Sequence, residues 1–205
     1  MNKIDFKKEL KHLYSSSAKS PVLVEVPDMK FLMIDGEGDP NTSEDFQYAV
    51  ETLYALSYTL KFMLKFSHTL ENDYVVPPLE GLWWTDDMNE FSVDNKSNWK
   101  WTMMIMQPEF ILEEHVGNAI QEVRVKKNPP ALSKVRFERY SEGLSAQIMH
   151  LGPYSEEKPT IDKLHSFIFD QGYKRQGKHH EIYLSDPRKS VPEKMKTIIR
   201  QPMGK

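Results

Sequence analysis

Apolar positions along this chain recur with two periods, one of three to four residues and one of two. The changeovers between them mark out its elements. Phe6, Leu10 and Leu13 face one way and lysines the other, which predicts a short amphipathic helix over residues 6–14, closed by Ser15, Ser16 and Ser17. Residues 22–27 and 30–35 read as strand segments, followed by a turn-rich stretch at 36–41. Thr42 with Asp45 three residues on approximates a capping box, and Phe46, Val50, Leu53, Leu60 and Leu64 mark the buried face of a long helix ending near Phe66. Pro77 and Pro78 break the pattern. Strands at 79–85 and 99–107 follow, joined by a polar loop carrying Asp86, Asp87, Asp94 and Asn95.

The same order then returns. A connector at 109–130, helical over 109–118, leads to strands at 134–140 and 144–150 around Ser141, Glu142 and Gly143, with a turn at 151–154. The next helix carries Pro159 in its first turn, core spacing at Ile161, Leu164 and Ile168, and Gly172 as its stop. Strands at 181–184 and 195–201 complete it. The fold class expected is α+β, a single domain over 1–205 in which residues 1–20 are a lead-in. Two β-α-β-β modules, 21–108 and 131–205, are expected about a pseudo-twofold axis. Aligning Gln107-Pro108 with Gln201-Pro202, and residues 79–86 with 180–186, sets Glu80 against Glu181. A duplicated module of this kind would carry both glutamates and their aromatic neighbours into one central ligand cleft.

Composition narrows the function. The 205 residues are 39% hydrophobic and 28% charged, ordinary for a globular chain. No run approaches the roughly 18 apolar residues of a membrane span. Residues 1–20 lack the apolar centre of a secretory signal, so a cytoplasmic location and no membrane partner are expected. There is no cysteine, hence no disulfide, thiolate nucleophile or cysteine metal site. A formal net charge of -3 and the lack of a helix-turn-helix pattern argue against nucleic acid as a partner.

The candidate chemistry is carboxylate and aromatic. Alternation puts Glu181 and Tyr183 on one face of their strand. Partial desolvation would suit the carboxylate to act as a general base or as a receptor for organic cations; the alternative is a solvated strand-end glutamate. Glu80, Leu82 and Trp84 share a face of one strand, and Trp99, Trp101, Met103 and Ile105 a face of the next. All four tryptophans fall in this hairpin, as a stacking surface for flat or cationic ligands or as an aromatic core. On the long helix Glu51, Tyr54, Tyr58 and Lys61 form a stripe, where a lysine beside Tyr58 would orient its hydroxyl; an ordinary helix flank is the alternative. His179 and His180 point to opposite faces, and His150 and His165 lack partners at ligand spacing, so no metal is expected. No nucleophile elbow, phosphate loop or dinucleotide fingerprint occurs, so no cofactor is expected either.

The segment at 150–154 (His-Leu-Gly-Pro-Tyr), Gly172-Tyr173, the block at 177–187 and the closing stretch at 197–202 resemble the GyrI-like small-molecule-binding domain. Phe6-Lys7-Lys8, Val26-Pro27, residues 35–41 and residues 79–84 look like its stand-alone branch, so the resemblance covers nearly the whole chain. It implies paired β-α-β-β modules of the GyrI-like or SOUL type, with a glutamate at the Glu181 position meeting the ligand. Some stand-alone members hydrolyse the strained ring of cyclopropanoid DNA-alkylating natural products of the yatakemycin and duocarmycin type, which detoxifies them. On that reading Glu181 is the base that activates water, and Tyr58, with Tyr54 second, polarises the substrate carbonyl. Trp84, Trp101 and Met103 would hold the flat unit, with Glu80, Leu82, Tyr154 and Tyr183 also lining the site. The expected partner is a planar aromatic or cationic small molecule. A non-catalytic multidrug or organic-cation sequestering protein is the alternative, and inhibition of a protein such as DNA gyrase a third class. Whether two chains form a homodimer stays open at this point.

Overall fold

The computed structural model describes residues 3–66, 73–88, 96–186 and 189–205. Asp94, Asn95 and Pro187, named above, lie outside them. The chain opens with α1 (Phe6–Glu9) and α2 (Lys11–Tyr14), two single turns hinged at Leu10 in place of one continuous helix. Then come β1 (Val22–Val26), β2 (Met29–Glu37) and α3 (Glu44–Phe66). The hydroxyl of Ser43, not Thr42, accepts from the Phe46 amide at the head of α3, and Glu44 and Asp45 lie in its first turn, where the helix dipole favours negative charge. β3 (Leu79–Trp84) and β4 (Lys100–Gln107) complete the first half.

The connector is more structured than its sequence suggests. Its helix, α4 (Glu113–Lys126), starts later and runs further than expected, and buries Val116, Ala119 and Val123. Those side chains join the core that α3 builds with Ala49, Leu53, Leu56, Leu60 and Leu64. Full burial contributes roughly 1.5–3 kcal/mol per leucine, so a change such as Leu56→Ala would cost about 2–5 kcal/mol. The second half consists of β5 (Arg136–Tyr140), β6 (Gly143–Leu151), α5 (Lys158–Asp170), β7 (Lys174–Arg175), β8 (His179–Tyr183) and β9 (Lys196–Gly204). Gly172, with φ of 76°, ends α5 as its position predicts.

Eight strands form one antiparallel sheet in the order β1-β6-β9-β8-β3-β4-β2-β5, while β7 pairs with the end of β9. The two halves meet where β3 pairs with β8. Each half also lends an edge strand to the other: β1 pairs with β6, and β5 with β2. Exchanging the halves element for element leaves this order unchanged.

One face of the sheet carries the long helices. Leu32, Ile34, Trp101, Met103 and Ile105 pack under α3 and α4, while Ala146, Ile148, Ile199 and Met203 pack under α5. The other face is covered by the N-terminal turns, with Leu13 and Tyr14 against Phe31, Leu82, Met104, Ile182 and Ile198. Gly36 permits the tightest approach on the helix face, since a Cβ there would stand 2.2 Å from the Trp101 ring. Among the described residues no helix is long and apolar enough to cross a membrane.

Candidate active site

Register decides which side chains meet. In the β3–β8 ladder Gly81 lies opposite Glu181, Trp83 opposite His179 and Leu79 opposite Tyr183. Cross-strand partners project from the same face, so Leu79, Gly81 and Trp83 share the helix face with His179, Glu181 and Tyr183. Glu80, Leu82 and Trp84 therefore lie on the opposite face. The alignment that paired Glu80 with Glu181 is one residue out of register, and with a period of two that slip moves a side chain through the sheet. The two glutamates do not share a cleft.

On the helix face, Glu181 lies near the start of α5 with little solvent exposure. Its Oε1 lies 3.1 Å from His179 Nε2, and its Oε2 accepts from the Tyr183 hydroxyl at 2.8 Å. The Tyr183 oxygen in turn accepts from Trp83 Nε1 at 3.1 Å. Gly81 keeps this place open: a Cβ there would stand 2.9 Å from Trp83 Nε1 and 3.0 Å from the Tyr183 hydroxyl. Tyr154 meets the Tyr183 ring edge-on, with centroids 5.6 Å apart.

A second carboxyl, missed in the sequence, completes the group. Glu157 precedes α5 directly and is 3% exposed. It stands close enough to Glu181 and to the Thr197 hydroxyl for each to affect its ionisation. Burial, and then the charge on Glu181, raise its pKa to about 10. Burial also opposes ionisation of Glu181, but the His179 hydrogen bond and charge and the Tyr183 hydroxyl outweigh it and hold that carboxyl below its ordinary value. The two shifts run in opposite directions and favour Glu157 as the protonated and Glu181 as the ionised member of the pair. Glu157 Oε1 and Thr197 Oγ1 are buried without a hydrogen-bond partner among the described residues. Two carboxyls with their pKa values driven apart are the arrangement of a general acid beside a general base.

The remaining expected residues are dispersed. Tyr54 is near enough to Tyr154 to influence its ionisation and belongs beside the carboxyl pair. Tyr58 is 47% exposed, one step further along α3, stacked between Tyr54 and Phe62 at 6.3 Å from each. Lys61 does not activate it: this lysine is buried, donates to the Tyr74 carbonyl at 2.7 Å and pairs with Asp73 at 3.4 Å. Trp101 and Met103 have the right face but are fully enclosed as core. Trp84 instead carries the Lys178 ammonium 3.3 Å from its ring centroid, on the far side of the sheet. The indole beside Glu181 is that of Trp83. Alternation from Glu181 could have identified His179, and the i, i+3 spacing from Tyr154 could have suggested Glu157. The burial that gives Glu157 its chemistry has no local signal.

Glu80 belongs to a different assembly. Its Oε1 accepts from the Tyr14 hydroxyl at 2.9 Å and its Oε2 pairs with His180 Nε2 at 2.9 Å. His180 Nδ1 is 2.9 Å from Glu142, which Arg200 also engages at 3.1 Å. Arg200 donates further to Gln147 at 3.0 Å and to the Leu13 carbonyl at 2.8 Å. Burial works against the His180 imidazolium, but Glu142 and then Glu80 outweigh it and raise its pKa to about 9.

Known proteins place the whole chain. A model of the GyrI-like small-molecule-binding domain matches residues 19–202. A crystal structure of an uncharacterized conserved protein from Listeria innocua is 45% identical, covers 98% of this chain and 100% of its own, and superposes with a TM-score of 0.91. A hydrolase from Listeria innocua is 44% identical over 98% of this chain and 100% of its own, with a TM-score of 0.86. The C-terminal domain of EcmrR shares the fold alone, at 13% identity and a TM-score of 0.59 over 91% of this chain and 98% of its own. No curated protein matches. With a mixed α+β architecture and a family match over nearly its full length, the chain belongs to the GyrI-like small-molecule-binding domain family.

Proposed function

We propose that the protein is a hydrolase that opens the cyclopropane ring of cyclopropanoid DNA-alkylating natural products, with Glu181 and Glu157 as its acid–base pair. The observation that carries this reading is the pair of buried carboxyls, Glu157 and Glu181, set together among Tyr54, Tyr154, Tyr183 and Trp83. The hydrolase from Listeria innocua, at 44% identity, supports the reaction class. Ionised Glu181 accepts a proton from water as the water oxygen bonds to the ring methylene. The strained carbon–carbon bond breaks, and its electron pair passes through the conjugated system to the carbonyl oxygen, which takes the proton of Glu157 and becomes a phenol. The proton then passes from Glu181 back to the adjacent Glu157 carboxylate, and the net change is addition of one water. Base and acid each contribute typically 10²–10⁴-fold, and a held water adds effective concentration.

Glu157 takes the acid role in this scheme because it stands beside the base, whereas Tyr58 lies outward on α3. Tyr54 is the helix tyrosine best placed to contact the substrate. The strand order supports a further reading, that the cleft lies between two β-α-β-β modules related by a twofold, and superposition of the halves tests it. A sequestering role for organic cations also has an observation in its favour, since an ionised carboxylate among aromatic rings attracts them.

The test follows a duocarmycin-type cyclopropanoid by chromatography with mass detection, at enzyme well below substrate, for the native protein and Glu181→Gln. Many turnovers to a product heavier by one water, lost in the variant, are expected. Binding without turnover would overturn the hydrolase reading in favour of sequestration.

A further inference from the structure

A second polar groove lies at the opposite end of α5 from Glu157. It has a volume of about 350 Å³ and is lined by His165, Phe169, Tyr173, Lys174, Arg175 and Gln201, among others. None of the described residues lining it is acidic. Phe169 is 79% exposed, and Lys205 sits 5.2 Å from the Tyr173 ring centroid.

The hydrogen bonding here is one-sided. Arg175 Nη1 lies 3.2 Å from His165 Nδ1. A guanidinium can only donate, so Nδ1 accepts and the proton of the neutral ring resides on Nε2. Burial, and then Arg175, lower the His165 pKa to about 4, consistent with that neutral form. Nε2 has no hydrogen-bond partner among the described residues, and Arg175 has no carboxylate partner among them. The groove therefore offers N–H donors beside aromatic rings, with no acidic side chain among its described lining; Asp162, one turn before His165, acts on that imidazole from outside the lining and is paired with Lys158. Eight helical residues separate Glu157 from His165, roughly 12 Å at 1.5 Å per residue.

We propose that this groove is a second ligand subsite, reading a planar aromatic group that bears an sp² oxygen, either a carboxylate or an amide carbonyl. Arg175 and the His165 Nε2–H would meet the oxygen while Phe169 and Tyr173 flank the ring. The subsite goes beyond the hydrolase reading, and its occupation needs no turnover.

Calorimetric titration of the full chain with indole-2-carboxylate, indole-2-carboxamide and indole tests this. The carboxylate is expected to bind at least about tenfold more tightly than indole, as a charge-assisted pair requires, with the amide between them if carbonyls are read as well. Arg175→Ala should weaken the carboxylate about tenfold, His165→Phe and Phe169→Ala should each weaken it less, and Glu181→Gln should leave it unchanged. Equal affinity for indole and its carboxylate, no binding of any probe at millimolar concentration, or indifference to Arg175→Ala would overturn the subsite. Loss of carboxylate binding in Glu181→Gln would overturn its separateness. Because this readout is binding alone, failure of the turnover assay and failure of the subsite remain distinguishable.

Discussion

Two buried clusters of carboxyl and imidazole groups stand back to back through one strand, and they differ in charge balance. On the N-terminal side, Glu80 and Glu142 face His180 and Arg200, two negative groups against two positive. On the helix side, His179, Glu181 and Glu157 lie together, and the carboxyls divide one proton between them. Neighbouring residues of β8, His180 and Glu181, feed the two. A balanced network pairs its charges and ties α2, β3, β6 and β9 together. An unbalanced one keeps a proton and a lone pair at hand for chemistry, at the expense of stability. Buried charge alone does not mark a site; the imbalance does.

The comparison breaks most visibly if Glu157 is removed. Glu157→Leu replaces a neutral carboxyl with an apolar side chain of similar size, so the fold should survive while turnover of the cyclopropanoid falls by about 10²–10⁴. In the native protein the rate should decline as pH rises through about 10, where Glu157 loses its proton. A variant with native turnover would show that the pair is structural after all.

Arg200→Met tests the other side. It leaves Glu142 with one cation fewer and frees Gln147 and the Leu13 carbonyl, and should cost about 3–5 kcal/mol in urea unfolding. Turnover per folded molecule should hardly change. A variant that stays stable but loses turnover would make the Arg200 network part of the catalytic machinery.

His180 makes the balanced cluster sensitive to pH. Its folded pKa of about 9 lies above the ordinary 6.5, so the native state binds the proton more tightly than the unfolded chain. Its stabilisation is complete below about 6.5 and is lost as pH rises to about 9. The loss should be roughly 3 kcal/mol, read as a falling unfolding midpoint across that window that is flatter in His180→Asn. An equal slope in both proteins would assign the effect elsewhere, Glu157 being another group whose raised pKa spans this window.

Gly81→Ala should have the smallest effect. The added methyl meets Trp83 and the Tyr183 hydroxyl, costs about 1–2 kcal/mol and disturbs the hydrogen bond between them. A shift in tryptophan fluorescence with little change in folding is the expected signature. An unaltered spectrum would mean that this part of the site yields without resistance.

Legibility followed the range of the interactions. α3 and α5 could be read because Leu53, Leu60 and Leu64, and Ile161, Leu164 and Ile168, repeat at helical spacing, and the strands because alternation is local. The face shared by Glu181 and Tyr183 was readable for the same reason, and they are 2.8 Å apart. The expected coming together of Glu80 and Glu181 was not met, since an alignment one residue out inverts the faces of a strand. Trp84 and Trp83 are adjacent and chemically alike, and only the pairing of Trp83 with His179 shows which indole reaches the site.

By itself, the amino-acid sequence determined the elements, their order, the α+β class and the one glutamate set among aromatics, because propensity and periodicity act between residues a few positions apart. Only the tertiary structure decided that β1 and β5 cross between the halves, that Glu80 belongs with His180, Glu142 and Arg200, and that Glu157 meets Glu181. Strand pairing joins distant segments, and a carboxyl's pKa is set by whatever the fold brings against it.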